Sequence, residues 1–175
     1  DAAVDKAREI VDLKSAELPD DERALVAEAV GVSAVRYADL SQNPQANVVF
    51  DWDKMMAMEG NTAPFLMYGH ARLRSIQRKE DLQHVVTGHG PVNDAERELT
   101  TLLLRFPSVV PAALEANRPS ILAEYLFTVA RSVNRFYSQS RIKGSVGEER
   151  AMRASLVAAA SMTLSTGLGL LGIPA

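Results

Sequence analysis

No cysteine occurs among the 175 residues, which excludes disulfides and thiolate metal sites and suits an intracellular compartment. Of the three histidines, His84 and His89 stand five apart around Thr87-Gly88, in a stretch that cannot hold both on one helical face. They read as loop residues rather than as a metal set. No signal peptide is expected, because Asp1 begins an acidic, amphipathic segment without an apolar run. Nor is there an uninterrupted hydrophobic stretch long enough for a bilayer. The apolar segment from Leu156 to Ala175 is broken by Ser161, Thr163, Ser165, Thr166, glycines and Pro174, and it reads as a packed terminal helix. Catalytic constellations are missing too: no nucleophile beside a base, no phosphate cradle, no paired carboxylates in a loop. Gly167-Leu168-Gly169-Leu170-Leu171-Gly172 looks like a glycine fingerprint, but no strand precedes it. Close helix packing and a helix stop explain it better. Asp51 and Asp53 flank Trp52 and do not share a helical face; Asp51 is expected to cap a helix instead.

What is present is a globular composition, 47% apolar and 23% charged. The formal charge of −3 conceals an asymmetry. Residues 1–60 carry 13 acids against 6 bases, whereas residues 61–175 carry 13 bases against 9 acids. Only the second part has the sign of a surface that meets phosphates.

Apolar residues recur at spacings of three and four, which predicts helices almost throughout. Val4, Ala7, Ile10 and Val11 outline a first helix. Pro19 with Asp20, Asp21 and Glu22 starts a second, expected to pause at Gly31 and resume through Val35 to Leu40. Val48-Val49-Phe50 is the only run with strand character. Asp51 then caps a short helix, and Asn61 or Thr62 caps another with Pro64 in its first turn, running to about Lys79. Beyond the turn-rich Thr87–Pro91, four helices are expected: Asp94–Phe106 capped by Asn93, Pro107–Asn117, a long one from Pro119, and Glu148–Leu171. The long one has the cleanest stripe, Ile121, Leu122, Tyr125, Leu126, Val129, Val133 and Phe136. The fold class is therefore all-α, a helical bundle preceded by a helical junction region. Residues 1–80 form the junction, 81–93 the linker and 94–175 the bundle.

Opposite that stripe run Arg131, Asn134, Arg135, Ser138 and Arg141, with Tyr137 beside them and Lys143 in the following turn. Cations neutralise phosphates, an amide addresses a base edge and a ring offers a stacking plane, a set suited to unpaired RNA. A solvated polar face is the alternative, since arginine also favours helices. A second basic set, Arg72, Arg74, Arg78 and Lys79, sits with Tyr68 and His70 after Pro64.

Specific strings decide between these readings. Val35-Arg36-Tyr37-Ala38-Asp39-Leu40-Ser41-Gln42-Asn43, Val49-Phe50-Asp51-Trp52-Asp53-Lys54-Met55 and Glu59-Gly60-Asn61-Thr62-Ala63-Pro64-Phe65-Leu66-Met67-Tyr68 closely resemble consecutive motifs of arginyl-tRNA synthetases, as does Ala71-Arg72-Leu73-Arg74-Ser75-Ile76. The last third resembles the family's helical anticodon-binding domain through Asn134-Arg135-Phe136-Tyr137, Arg141 and Gly169-Leu170-Leu171-Gly172-Ile173. Phe65 and Met67 depart from it, standing where the family more often has tyrosine and glutamine.

The resemblance implies a class I synthetase of the cytoplasm, an arginine-tRNA ligase that joins arginine to its tRNA with ATP and magnesium. Its nucleotide-binding domain carries a His-Ile-Gly-His-type motif and a lysine-bearing loop, neither of which occurs here. The chain is therefore expected to hold no cofactor, metal or catalytic residue and to be inactive alone. Arginine tRNA and the catalytic domain are the expected partners, with no membrane and a monomeric state. Asn134, Tyr137 and Arg141 are the expected base contacts, Arg131, Arg135 and Lys143 the phosphate contacts, and Arg72, Arg74 and Arg78 meet the tRNA backbone near the junction. The rival reading is a helical protein-interaction module that keeps the fold without RNA binding, and an exposed apolar docking patch would mark it.

Overall fold

The computed structural model describes residues 2–43, 50–82 and 90–175. His84 and His89 lie outside them, as do Val48 and Val49; Phe50 belongs to no regular element. The described residues form eight helices: α1 (Ala2–Lys14), α2 (Asp20–Leu40), α3 (Trp52–Met55), α4 (Ala63–Lys79), α5 (Asp94–Leu104), α6 (Phe106–Glu115), α7 (Pro119–Gln139) and α8 (Gly147–Leu170).

Local chemistry sets the helix starts. Asp51 accepts the Lys54 N–H at 3.1 Å and caps α3. Thr62, not Asn61, caps α4 by accepting the Phe65 N–H at 3.3 Å, and Pro64 occupies the first turn. Asn93 opens α5 with a capping box, its side chain taking the Glu96 N–H while Glu96 reaches back to the Asn93 N–H. α5 stops at Leu104, two residues before its expected end, and Phe106 opens α6, one residue before its expected start. Asn117 turns left-handed at φ 50 and ends that segment.

α2 does not pause at Gly31. It is one continuous helix, and the glycine is there because α1 lies against it. A Cβ at position 31 would stand 2.7 Å from the Ala3 carbonyl oxygen and 2.9 Å from Val4 Cα. The α1–α2 hairpin builds a small core of its own from Ala3, Ala7, Val11, Ala27, Ala34 and Met56. Arg8 and Arg23 of the two helices both pair with Asp12 and Asp20 at its edge. Val26 and Val35 stay exposed, but Val30 packs into this core.

The larger core surrounds α7. Leu126, Val129, Val133 and Phe136 are buried against α8 residues such as Val157 and Leu164, and α5 contributes Leu99. α4, grouped by sequence with the junction, places Leu66 and Leu73 in the same core. α7 and α8 touch closely at Gly167, where a Cβ would fall 2.4 Å from a Leu126 methyl. Gly172, with φ 71, provides the stop after α8. Tyr125 ties α7 to α5 by donating to the Leu102 carbonyl at 2.9 Å, and burial pushes its phenol up to about 12. Tyr37 of α2 donates to the Asn61 side-chain oxygen at 2.6 Å and lies 3.0 Å from the Ala123 carbonyl, joining the hairpin to the bundle. Burial, and then the nearby charge of Glu124, raises its pKa well above the ordinary phenol value. Among the described residues no helix is long and apolar enough to cross a membrane.

Candidate nucleic-acid interface

Inward residues of α7 form the stripe described above, so its outward residues must form a ridge. Arg131, Arg135, Tyr137 and Ser138 are exposed, and Asn134 is half-buried. At 100° per residue Asn134 and Ser138 lie near the crest, with Tyr137 on one flank and Arg135 on the other. α4 meets the Tyr137 flank and α5 meets the Arg135 flank, as their contacts show.

On the α4 side, Arg72 is the organising group. Its guanidinium carbon sits 4.8 Å from the Tyr68 ring centre and 5.7 Å from that of Tyr137. One of its N–H groups donates to the Asn134 side-chain oxygen at 3.2 Å and another to the Tyr68 hydroxyl at 2.9 Å. The two basic sets that the sequence shows separately thus meet in one cluster, 62 residues apart along the chain. Tyr68 and Tyr137 keep 48% and 49% of their surface exposed, so each presents ring area outward while holding a cation. A planar cation between two rings is a fixed donor array beside ready stacking surfaces. The amide oxygen of Asn134 is already engaged by Arg72, which leaves its NH2 as the group to address a base or phosphate.

On the α5 side Arg135 forms an ion pair with Glu98. Arg131 lies over the Phe127 ring at 5.8 Å. Ser138 turns back on its own helix, donating to the Arg135 carbonyl at 2.8 Å. Arg141 is not on the helix as its spacing suggested. α7 ends at Gln139, and Ser140 leaves helical geometry with φ −114 and ψ 99. Arg141 and Lys143 are exposed in the connection to α8, between the buried Ser140 and Ile142 and the left-handed Gly144. Arg74 and Arg78 are exposed on α4, Arg74 donating to Gln77 at 3.2 Å. His70, grouped with them by sequence, is instead buried. Burial and then the Arg74 charge lower its pKa.

Three participants were not singled out from sequence. Glu98 neutralises a ridge arginine. Glu96 and Arg153 form a buried ion pair at 2.8 Å beneath the end of α7. Burial works upward on the Glu96 carboxyl, but hydrogen bonds from Arg153, the Val92 N–H and Ser140 outweigh it and hold the group below its ordinary value. The capping-box pattern Asn93-x-x-Glu96 signals the first role of Glu96. Nothing in the sequence signals its partner 57 residues on.

An exposed array of cations, rings and an amide on the face of a helical bundle has the chemistry suited to phosphates and unpaired bases. The chain belongs to the DALR anticodon binding domain family, whose model matches residues 66–175. Residues 1–52 match the model of the class I (R) tRNA synthetase catalytic domain.

Across its length the chain is similar to arginine–tRNA ligases. It is 40% identical to that of Fusobacterium nucleatum over 99% of this chain, and 42% identical to that of Chloroflexus aggregans over all of it. It spans 31% of the length of each. The structure superposes on Thermus thermophilus arginyl-tRNA synthetase with a TM-score of 0.92 at 33% identity, over 99% of this chain and 30% of that one. The Plasmodium falciparum arginyl-tRNA synthetase shares the fold, with a TM-score of 0.84 at 23% identity over 99% of this chain and 31% of that one.

The described residues include no group of three or more His, Asp or Glu able to hold a metal ion. The sequence also lacks a His-Ile-Gly-His string, its only His-Gly pair being His89-Gly90.

Proposed function

We propose that the chain is the tRNA-docking part of an arginine–tRNA ligase of the cytoplasm, which recognises arginine tRNA and its anticodon while ATP-dependent ligation is performed by a catalytic domain whose matched piece here is residues 1–52. The observation that carries the reading is the Arg72 cluster. Tyr68, Tyr137 and Asn134 converge on one guanidinium at the surface of the anticodon-domain match.

In this reading Tyr137, Asn134 and Arg141 meet bases, while Arg131, Arg135 and Lys143 meet phosphates. Arg72 serves both by steering Asn134 and Tyr137, and Arg74 and Arg78 extend the positive track along α4 toward the tRNA body. The tRNA-docking unit begins with α4, because Leu66 and Leu73 share the bundle core. The protein works as a monomer, with magnesium accompanying ATP in the catalytic domain.

Filter-binding titration against arginine tRNA and an unrelated tRNA, at two salt concentrations, tests this. Tight, salt-dependent binding that favours arginine tRNA is expected. Arg141→Ala and Arg72→Ala are expected to weaken it about tenfold, and Arg131→Ala to lower the salt slope by about one. Affinity and salt slope unchanged in all three variants would falsify the site.

A further inference from the structure

Arg141 lies past the last turn of α7, in a connection that a helix cannot hold in place, yet the proposed contact with an unpaired base needs a fixed side chain. The backbone there is held from beneath. Arg153 of α8 donates its Nε–H to Glu96 at 2.8 Å, one Nη–H to the Arg141 carbonyl at 2.8 Å, and another Nη–H to Glu149. Glu96 of α5 is completely buried, and its second oxygen accepts the Val92 N–H at 2.7 Å. Asn93, from the same capping box, donates to the Ser140 hydroxyl at 2.9 Å. Two elements, α5 with its cap and α8, therefore converge on residues 140–141, and a buried ion pair lies at their meeting point.

The geometry matters more than the charge. One planar guanidinium serves three acceptors in three directions, which a lysine ammonium at the end of a flexible stem cannot reproduce. Retaining a buried ion pair is costly unless its remaining donors are satisfied. Here one of those donors is spent on the carbonyl of the residue that must be aimed.

We propose that Glu96 and Arg153 are positioning residues for tRNA recognition: they fix the backbone of Arg141, and so its exposed side chain, at the RNA face. The inference rests on the proposed function. It goes beyond it in assigning part of the affinity to two side chains that touch no RNA.

The test is a double-mutant cycle on tRNA affinity in the full chain, combining Arg153→Lys or Glu96→Gln with Arg141→Ala. Circular dichroism and a melting curve verify that each variant is folded at the assay temperature. Arg153→Lys keeps the charge and an ion pair with Glu96, so it remains usable where Glu96→Gln fails to fold. Arg141→Ala alone is expected to weaken binding about tenfold. Arg153→Lys alone is expected to give a similar but smaller loss, about three- to tenfold, and to add nothing in the Arg141→Ala background. A merely structural role predicts that the two losses multiply, and that outcome overturns the inference while leaving the RNA face intact. Full affinity in a folded Arg153→Lys chain also overturns it. If Arg141→Ala itself binds as tightly as the parent, the inference falls together with the assignment of Arg141 to RNA.

Discussion

The hairpin of α1 and α2 and the bundle around α7 are both helical, yet their cores are made of different material. In the hairpin, Ala3, Ala7, Ala27, Ala34 and Gly31 let two backbones come close, and larger apolar side chains such as Leu13 and Leu25 remain 85% and 67% exposed. In the bundle, leucine, valine and phenylalanine interdigitate from five helices. Buried apolar area is what stabilises, at about 25 cal/mol per Å². The hairpin thus buries little beyond its small residues, whereas the bundle buries a long leucine, valine and phenylalanine set and leaves out others such as Leu104, Leu114 and Met162. A stretch that leaves its large side chains outward is shaped to be covered, in keeping with the catalytic-domain match over residues 1–52.

The largest expected effect belongs to the bundle. Phe136→Ala should cost about 3–5 kcal/mol in urea unfolding and abolish tRNA binding with it. A global loss below 1 kcal/mol would mean that the bundle is not the stable half. Gly31→Val should cost less, about 1–3 kcal/mol, because the hairpin must open to admit a side chain against the Ala3 backbone. Hydrogen exchange should then rise across α1 while α7 stays protected, and simultaneous loss in both would erase the contrast between the two regions.

Acid sharpens the same comparison more gently. The folded Glu96 carboxyl titrates below its ordinary 4.5, so at intermediate pH the unfolded chain binds more protons than the folded one. The stability it contributes is complete above about pH 4.5 and is lost as pH falls through the folded value. Unfolding free energy should therefore rise with pH through that window, and less steeply in Glu96→Gln. Equal slopes in the two proteins would rule out the carboxyl as its origin. The smallest change in stability should come from Glu98→Gln. The partly exposed pair with Arg135 contributes less than about 1 kcal/mol. Freeing Arg135 for phosphate should nonetheless raise affinity for arginine and unrelated tRNA alike, about two- to fivefold, and filter binding of both tRNAs reads that gain directly.

Much of this architecture can be read from residue order, because its determinants are local. The caps Asp51, Thr62 and Asn93 act within three residues, and the α7 stripe repeats over about four turns. Gly31 misleads because a glycine weakens a helix in isolation, whereas here close approach to α1, 28 positions upstream, outweighs that cost. Arg141 misleads because its spacing continues the α7 ridge, while the helix is ended by what Ser140 meets from α5. Chemistry that depends on pairing across helices is the least legible. Arg72 with Asn134 and Glu96 with Arg153 consist of residues that by themselves look like ordinary helical polar positions. The nine candidate RNA contacts could be picked by charge and exposure, but not the order that one arginine imposes on Tyr68, Asn134 and Tyr137.

The unbroken course of α2 has a mechanical consequence. Its 21 residues make a rod about 31 Å long, whose middle, from Ala27 to Ala34, lies in the alanine seam and whose far end carries Tyr37 into the bundle and Arg36 to the Gly172 carbonyl. With no joint along it, the rod can transmit a tilt at one end to the other. A nudge delivered by docked RNA would thus reach the α1 side as a displacement rather than be absorbed in a hinge.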